Sequence, residues 1–330
     1  MHLPQIILAR PTNHELSSLM RQLYSFHMSH SNIESEVRFG TYVTASQGCE
    51  HAQPTLEDLV GSMSNEDALT VLEINDGDCL AGTSSPFADL PHLLFNSADE
   101  FNMRKTAVFS NIGTHTLIIE DHMEIADDFL PTLRDFLSSY KEIPALGFYA
   151  VNGTPNNYGS RILFRWVFGL ASLDLWPRSP EPVCSAFVVN NHFLATYADG
   201  LDREIKVGEI ESHLIPYLIP RVNGLLPREL HVIHSQRVSI FQAAQGVFEN
   251  ARISGHQERG TALVRWVIIL IQRHYHRFIK ILRVGRPSFI ESLGVFFLAN
   301  VGLVGGFLGR FGSIRNSYRR LARTHTLLPK

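Results

Sequence analysis

The chain has 330 residues, of which 45% are apolar and 18% are charged, a globular composition with room for one large domain or two smaller ones. Its cysteines, Cys49, Cys79 and Cys184, have no paired spacing, which argues against a disulfide framework or a cysteine zinc site and suits a reducing compartment. The net charge of −3 hides an asymmetry: residues 1–251 carry 15 Lys and Arg against 30 Asp and Glu, whereas residues 252–330 carry 14 against 2.

This asymmetry predicts an acidic catalytic body and a basic C-terminal part that needs an anionic partner. Long apolar runs interrupt the C-terminal arginines, so we expect a lipid surface and no nucleic acid. The first ten residues contain neither a basic region nor a long apolar core, which predicts a first strand and not a secretory signal.

Strand and helix patterns alternate along most of the chain. Buried-strand patterns predict strands at residues 6–9, 37–44, 69–74, 92–95, 116–119, 145–151, 182–189 and 230–235. Helical spacing predicts helices at residues 15–24, 56–63, 102–111, 127–137, 161–170 and 207–216. This alternation predicts an α/β fold, a Rossmann-like and mostly parallel central sheet with helices on both faces.

Acidic residues follow two of the predicted strands directly. Glu120, Asp121 and His122 come after residues 116–119, and Asp76 follows residues 69–74 in a turn-rich segment. In an open α/β sheet the carboxyl ends of the strands are where ligands bind. A divalent cation would relieve the repulsion between such closely spaced acids, although a solvated turn with a helix-capping acid is the alternative.

Two later segments add candidate site residues. Glu209 and Glu211 begin the predicted helix 207–216, where first-turn acids that favour the helix dipole are the alternative interpretation. His231 and His234 are three residues apart in a predicted strand and must face opposite sides. His234, at the strand end, is the better candidate ligand, and a structural histidine is its alternative.

The C-terminal part contains two apolar helical segments. Residues 261–282 have apolar positions at three- and four-residue steps with basic residues between them, which is typical of a helix on an anionic membrane surface. Residues 292–309 form an uncharged run of 18 with five glycines and one asparagine, slightly short of the roughly 20 residues that span a bilayer. We expect peripheral or monotopic membrane contact; a core-packing helical hairpin or a homo-oligomer interface is the alternative.

The order of these motifs resembles the family-two inverting glycosyltransferases of the GT-A fold, over roughly residues 4–260. The resemblance rests on Ala9-Arg-Pro-Thr-Asn13 after the first strand, on Ile74-Asn-Asp-Gly-Asp78 after a later one, and on Glu120-Asp-His122 at the family's Asp-x-Asp metal motif. The segment Gly208-Glu-Ile-Glu-Ser-His-Leu214 is similar to the family's acceptor-side helix, and His234 stands where the family often has a late histidine.

The sequence departs from the family pattern at three places. Asn75 and Asp76 replace the usual paired aspartates, His122 replaces the last aspartate of the metal motif, and Ile210-Glu211 replaces a Glu-Asp pair. These departures leave open an inactive relative that serves as a membrane scaffold.

The resemblance implies a role for each candidate residue. A divalent cation, Mn²⁺ or Mg²⁺, would be held by residues from the set Glu120, Asp121, His122 and His234. Glu211 would be the general base, with its pKa raised by burial or by Glu209, which is itself an alternative base. The donor would be bound by Pro11, Thr12 and Asp76 at the nucleotide, by Arg104 at a phosphate, and by Asn191 at the sugar or the acceptor.

The hypothesis is therefore a catalytic domain over residues 1–255 followed by membrane-associating helices over residues 256–330. It would be a metal-dependent glycosyltransferase at the cytoplasmic face of a membrane. A nucleotide-diphospho-sugar would be the donor and a glycan or lipid-linked molecule the acceptor. A nucleotidyltransferase is the other enzyme class considered, but residues 10–13 lack the glycine-rich loop that such enzymes usually carry.

Overall fold

The computed structural model divides the chain into two compact units, which are described separately. The sheet unit comprises residues 9–149 and 176–232, and the helical unit comprises residues 1–8, 150–175 and 233–330. The structure describes residues 36–45, 49–65, 67–74, 92–95, 113–120, 123–141, 143–175, 183–193 and 226–312.

The described strands form one sheet of eight strands in the order β3-β2-β1-β4-β7-β6-β8-β5. Their bounds are β1 Phe39–Ala45, β2 Ala68–Ile74, β3 His92–Phe95, β4 His115–Glu120, β5 Met123–Glu124, β6 Ala145–Asn152, β7 Val183–Asn190 and β8 His231–His234. The strand predictions at residues 37–44, 69–74, 92–95, 116–119, 145–151, 182–189 and 230–235 are therefore confirmed to within one or two residues.

The sheet is mixed, so the expectation of a mostly parallel sheet is met only in part. The neighbours β3, β2, β1 and β4 are parallel, whereas β7 runs antiparallel to both β4 and β6. A fully buried strand has the same apolar run in either direction, so its periodicity does not reveal its direction. The connections between the strands decide it.

Two helices of the sheet unit follow from their local sequence. Helix α1 is Cys49–Ser62, seven residues longer at its start than predicted. Helix α2 is Phe129–Ser139, and it buries Phe129, Leu130, Leu133, Phe136 and Leu137 at helical spacing. The ring of Phe129 meets Phe148 of β6 edge-on, with 5.0 Å between ring centroids. Asp128 is the N-cap residue of α2, and its side chain makes no capping hydrogen bond.

A buried ion pair joins α2 to the start of β1. The Asp67 carboxylate accepts hydrogen bonds from the Phe39 and Ser64 backbone N–H groups, both at 2.9 Å, and from the Arg134 guanidinium. Arg134 Nε also donates to the Val37 carbonyl at 3.2 Å. These contacts fix the entry into β1 and β2 against α2.

The helical unit is built mainly from α3 Tyr158–Phe168, α4 Ile240–Gln257, α5 Leu263–Ile271, α6 Arg277–Gly285 and α7 Phe289–Phe311. Three of these helices begin at a side-chain cap, supplied by Asn157, Ser239 and Ser288 respectively. In α4 and α7 the cap is a capping box, in which Gln242 and Glu291 also accept a hydrogen bond from the backbone N–H of the cap residue. Each box satisfies two backbone donors that have no partner within the helix.

The predicted helix at residues 261–282 is a continuous helical run in three parts. A π-helical segment, Gln272–His276, separates α5 from α6. The run ends at Gly285, where Arg286 adopts a left-handed conformation with φ of 40°. The uncharged run 292–309 lies within α7, the one described helix long and apolar enough to cross a membrane, with 44% of its most apolar stretch buried in the protein.

Several predicted elements lie outside the described residues: the strand at 6–9 and the helices at 15–24, 102–111 and 207–216. The domain boundary predicted at residue 255 falls within α4. The sheet unit and the helical unit divide at residues 8/9, 149/150, 175/176 and 232/233, and the functional boundary at residue 255 stays a prediction.

Candidate active site at the carboxyl ends of the parallel strands

Three parallel strands end at the same edge of the sheet. Strand β1 pairs with β2 on one side and with β4 on the other, and Thr44 has both Leu72 and Glu120 as Cα partners. The chain leaves β1 at Ala45, β2 at Ile74 and β4 at Glu120. Since neighbouring strands lie about 4.8 Å apart, the ends of β2 and β4 are roughly 10 Å apart across β1.

Glu120 is the described member of the predicted metal motif. It is the last residue of β4, whose six residues are all buried, and 7% of Glu120 is exposed. Strand alternation places its side chain on the same face as Ile118 and Thr116. Glu120 thus places a buried carboxylate at the carboxyl end of β4, the end of a strand where open α/β sheets bind ligands.

Helix α1 holds the chain that follows the motif. The Thr55 hydroxyl donates to the Met123 carbonyl at 2.7 Å, and the Ile125 backbone N–H donates to the Asp58 carboxylate at 3.4 Å. Residues on both sides of Asp121 and His122 are therefore anchored, by β4 on one side and by α1 on the other.

Negative charge is concentrated in this region. Burial raises the pKa of the Asp58 carboxyl, and the charges of Glu124, Asp127 and Glu57 raise it further against the hydrogen bond from Ile125, which lowers it. Within the described part of the chain, no three His, Cys, Asp or Glu side chains form a group that could hold a metal ion. A metal site here would have to draw ligands from segments outside that part.

Asn191 lies at the opposite end of β4 from Glu120. Its side chain accepts a hydrogen bond from the Thr116 hydroxyl at 2.6 Å and donates one to the Gly113 carbonyl at 3.1 Å. Four residues separate Thr116 from Glu120, which is about 13 Å along a strand. The structure therefore does not bring Asn191 and Glu120 together, and the contacts of Asn191 tie β7 to the start of β4.

His234 is fully buried at the end of β8. Its ring packs against Phe168 and Phe164, with centroid distances of 4.9 Å and 6.2 Å. The burial pattern of β8 alternates, with His231 partly exposed and His234 buried, as expected for residues on opposite faces. The aromatic surroundings favour the structural role that the sequence left open, and the ligand role stays a prediction.

The other predicted site residues lie outside the described part of the chain. They are Pro11, Thr12, Asp76, Arg104, Asp121, His122, Glu209 and Glu211.

A polar cavity that no sequence motif predicted lies in the helical unit. Its volume is about 310 Å³, and it is lined by Gly153, Thr154, Pro155, Asn156, Asn157 and Arg237. Its floor is ordered: the Asn152 side chain accepts from the Thr154 N–H at 3.0 Å, and the Thr154 hydroxyl donates to the Gln236 carbonyl at 3.1 Å. Arg237, the charged member of this lining, would favour an anionic or hydroxyl-rich ligand. The sequence feature that could have predicted this cavity is the turn-rich polar loop at residues 152–159, at the end of β6.

No family model and no curated protein sequence matches this chain. Among solved structures, the chain is similar to the mannosyltransferase PcManGT from Pyrobaculum calidifontis in complex with GDP-Man and Mn²⁺. The identity is 10% over 90% of this chain and 82% of that one, with a TM-score of 0.35. It is also similar to residues 1–349 of S. aureus TarS, with 14% identity over 88% and 89% of the two chains and a TM-score of 0.35.

A longer S. aureus TarS structure gives 11% identity over 83% of this chain and 55% of that one, again with a TM-score of 0.35. At this TM-score the likeness carries no weight for fold or function.

Proposed function

We propose that this protein is a divalent-cation-dependent glycosyltransferase. It would move a sugar from a nucleotide-diphospho-sugar to a glycan or lipid-linked acceptor, with inversion at the anomeric carbon. The observation that carries the proposal is the position of Glu120, a buried carboxylate at the end of β4, at the edge where β1 and β2 also end. The carboxyl ends of parallel strands are the ligand-binding edge of open α/β sheets.

Chain connectivity supports a place for Asp76 near the same edge. Asp76 follows Ile74, the last residue of β2, by two positions. A chain spans at most about 3.6 Å per residue, so the Asp76 Cα is within roughly 7 Å of the Ile74 Cα. Two acidic segments that are 44 positions apart in the sequence thereby leave the sheet from neighbouring points.

The residues at this edge fit a divalent cation by their chemistry. Carboxylates with an imidazole, as in Glu120, Asp121 and His122, are suitable ligands for Mn²⁺ or Mg²⁺. The acids that raise the pKa of Asp58 show that the neighbouring region carries excess negative charge, which a cation would offset. Bound there, the cation would act as a Lewis acid toward the departing diphosphate. Adjacent side chains on an extended segment diverge, so we expect one or two of the three to bind it.

The protein's other residues would perform the remaining steps. Glu211 accepts the proton of the acceptor hydroxyl, whose oxygen bonds to the anomeric carbon from the face opposite the diphosphate while the carbon–oxygen bond to the diphosphate breaks. Glu209 is the alternative base. Pro11 and Thr12 would line the nucleotide, and Arg104 would pair with a phosphate.

Two candidates stand apart from this set. Asn191 is at the far end of β4, and its hydrogen bonds support a structural role, so we do not place it at the donor. His234 belongs to the helical unit. Its role as a metal ligand is a separate proposal, which a metal titration of a His234→Gln variant can test.

We further propose that the protein works at the cytoplasmic face of a membrane, where a lipid-linked acceptor would be found. The basic excess of residues 252–330 and the apolar helix α7 support this location.

The test is release of the nucleoside diphosphate from a panel of nucleotide-sugars in the presence of Mn²⁺, with and without membrane extract as the acceptor source. We expect release with one donor, its loss when the metal is chelated, and a fall of at least about 100-fold for Glu211→Gln, the scale of a general base. Glu229→Gln, which changes an exposed glutamate of the same unit, is the matched control.

No turnover and no thermal stabilisation with any donor, with both variants indistinguishable from the parent, would contradict the proposal and favour the inactive scaffold.

A further inference from the structure

Helix α7 presents large apolar side chains to the outside. Nine of its large apolar residues are exposed, by 43% to 77% of their surface. They include Phe289, Leu293, Phe296, Phe297, Phe307 and Phe311, which lie on one face of the helix. Contiguous exposed apolar surface of this kind marks an interaction site.

The opposite face of α7 packs inward, and its C-terminal half is made of glycines. Gly302, Gly305, Gly306 and Gly309 are all buried. A Cβ added to Gly305 would lie 2.5 Å from the Phe248 carbonyl oxygen, so the backbones of α4 and α7 are in close contact. A helix of a water-soluble core has its large apolar residues inside and polar residues outside. Helix α7 buries Val295 and Leu298, but over residues 302–309 it has glycines at the helix contact and large apolar side chains outside, as membrane helices have.

The helical run before α7 has a matching outer face. Val264, Ile268, Ile271 and Ile279 are exposed along one stripe. Basic side chains at Arg265, His276, Arg283 and Arg286 are exposed on the same run. A basic border beside an apolar stripe is the arrangement that binds anionic headgroups while apolar side chains enter the acyl region.

The acids of this region do not offset that positive charge at the surface. Residues 252–330 contain two acids, Glu258 and Glu291. Glu258 pairs with the Arg273 guanidinium and accepts from the Trp266 indole N–H at 3.1 Å. Glu291 lies 3.4 Å from Arg161 and caps α7 through Ser288. Both carboxylates are paired with groups inside the helical unit, so the exposed charged side chains of α5 and α6 are basic.

We propose that α5, α6 and α7 form a monotopic docking surface that lies in the plane of an anionic lipid bilayer, with the exposed face of α7 among the acyl chains and α7 not spanning. The 23 residues of α7 are about 35 Å long, so length alone would permit a span of roughly 30 Å.

Packing argues against that span. Helix α4 lies along α7 and carries Glu249, Asn250 and Arg252. A spanning α7 would carry the Glu249–Arg252 ion pair, 3.4 Å apart and mostly buried, to membrane depth, where charged side chains are rare and costly. This inference extends the membrane part of the proposed function and is independent of the sugar-transfer chemistry.

The first experiment is flotation of the full chain with vesicles of phosphatidylcholine alone or mixed with phosphatidylglycerol, without nucleotide-sugar. We expect flotation with the anionic vesicles, weakening as salt increases, and loss of most flotation in the double variant Phe297→Glu/Phe307→Glu. Val60→Glu is the matched control, because Val60 of α1 is 48% exposed and Phe307 is 50% exposed.

The second experiment measures depth. Ile290→Trp, Phe297→Trp and Phe307→Trp, each relative to the parent protein, are quenched with lipids brominated at different acyl positions. An in-plane α7 gives the same depth at all three positions. A spanning α7 separates positions 290 and 307 by about 25 Å along the bilayer normal and overturns the in-plane arrangement. Absence of flotation, together with a soluble dimer that Phe307→Glu dissociates, would overturn the lipid surface in favour of a second copy of this chain.

Discussion

Thr44 of β1 and Glu120 of β4 are Cα partners in a parallel pair, one residue before β1 ends and at the last residue of β4. On its other side Thr44 pairs with Leu72 of β2, two residues before that strand ends. The register of three strands thus brings Glu120 and the carboxyl ends of β1 and β2 to a common edge. Every prediction about the reaction depends on this edge.

Glu120→Gln tests the metal assignment most directly, because glutamine keeps the size of the side chain and removes its charge. We expect the Mn²⁺ concentration for half-maximal turnover to increase at least about tenfold, since even the outer-shell partners of metal ligands are worth 10- to 100-fold. The measurement is a metal titration of diphosphate release, with Glu229→Gln as the control. An unchanged titration curve would remove Glu120 from the ligand set.

Asp67→Asn tests the ion pair that fixes β1 against α2. The Asp67 side chain is fully buried against Arg134, whose own side chain is 21% exposed, and loss of the Asp67 charge leaves this partly buried cation with an impaired partner. We expect about 2–4 kcal/mol of destabilisation in urea unfolding at neutral pH. Asp58→Asn is the control, and we expect it to be neutral or stabilising, because burial raises the pKa of Asp58.

The two aspartates should also differ in pH dependence. Burial raises the pKa of Asp67, but hydrogen bonds from Phe39, Ser64 and Arg134 outweigh it and hold the pKa below its ordinary value of 3.8. A lowered carboxyl pKa contributes stability that is present above the unfolded pKa and lost as pH falls through the folded one. Below about pH 4, the difference in free energy of unfolding between the parent and Asp67→Asn should therefore shrink. A difference that stays constant with pH would contradict the lowered pKa of Asp67.

His115→Gln tests a buried imidazole on β4. Burial lowers the pKa of His115 from 6.5 to about 4, so between these values the unfolded chain binds a proton that the folded protein does not. Stability should therefore fall as pH decreases through this window, by about 3 kcal/mol in total at 1.36 kcal/mol per pKa unit.

Glutamine at position 115 can hydrogen-bond to the same partners as the imidazole, Thr114 and Asn190, but it does not titrate. The free energy of unfolding in urea should differ less between pH 7 and pH 4.5 for His115→Gln than for the parent. His231→Gln, at a partly exposed position, should keep the parent's difference.

Gly305→Ala and Gly246→Ala test the close contact between α7 and α4. A Cβ at Gly305 meets the Phe248 carbonyl at 2.5 Å, whereas a Cβ at Gly246 of α4 meets no atom within 4 Å. We expect Gly305→Ala to destabilise by about 1–3 kcal/mol through overpacking and Gly246→Ala to stabilise by about 0.5–1 kcal/mol through helix propensity. Thermal unfolding in a mild detergent measures both, and equal shifts would contradict the contact.

The sequence alone determined the features that depend on neighbouring residues. Strands β2, β3, β4 and β6 and helix α2 were predictable because burial follows local apolar periodicity. The basic excess after residue 251 and the acids after residues 69–74 and 116–119 were also visible, since they are properties of composition and order.

The tertiary structure decided what depends on distant partners. It set the direction of β7, it paired Asp67 with Arg134, and it placed Asn191 at the opposite end of β4 from Glu120. It also turned the glycines of α7 inward against α4 and nine of its large apolar side chains outward. A periodic pattern shows that a helix has two different faces, but which face is covered depends on the shape of the segment that packs against it.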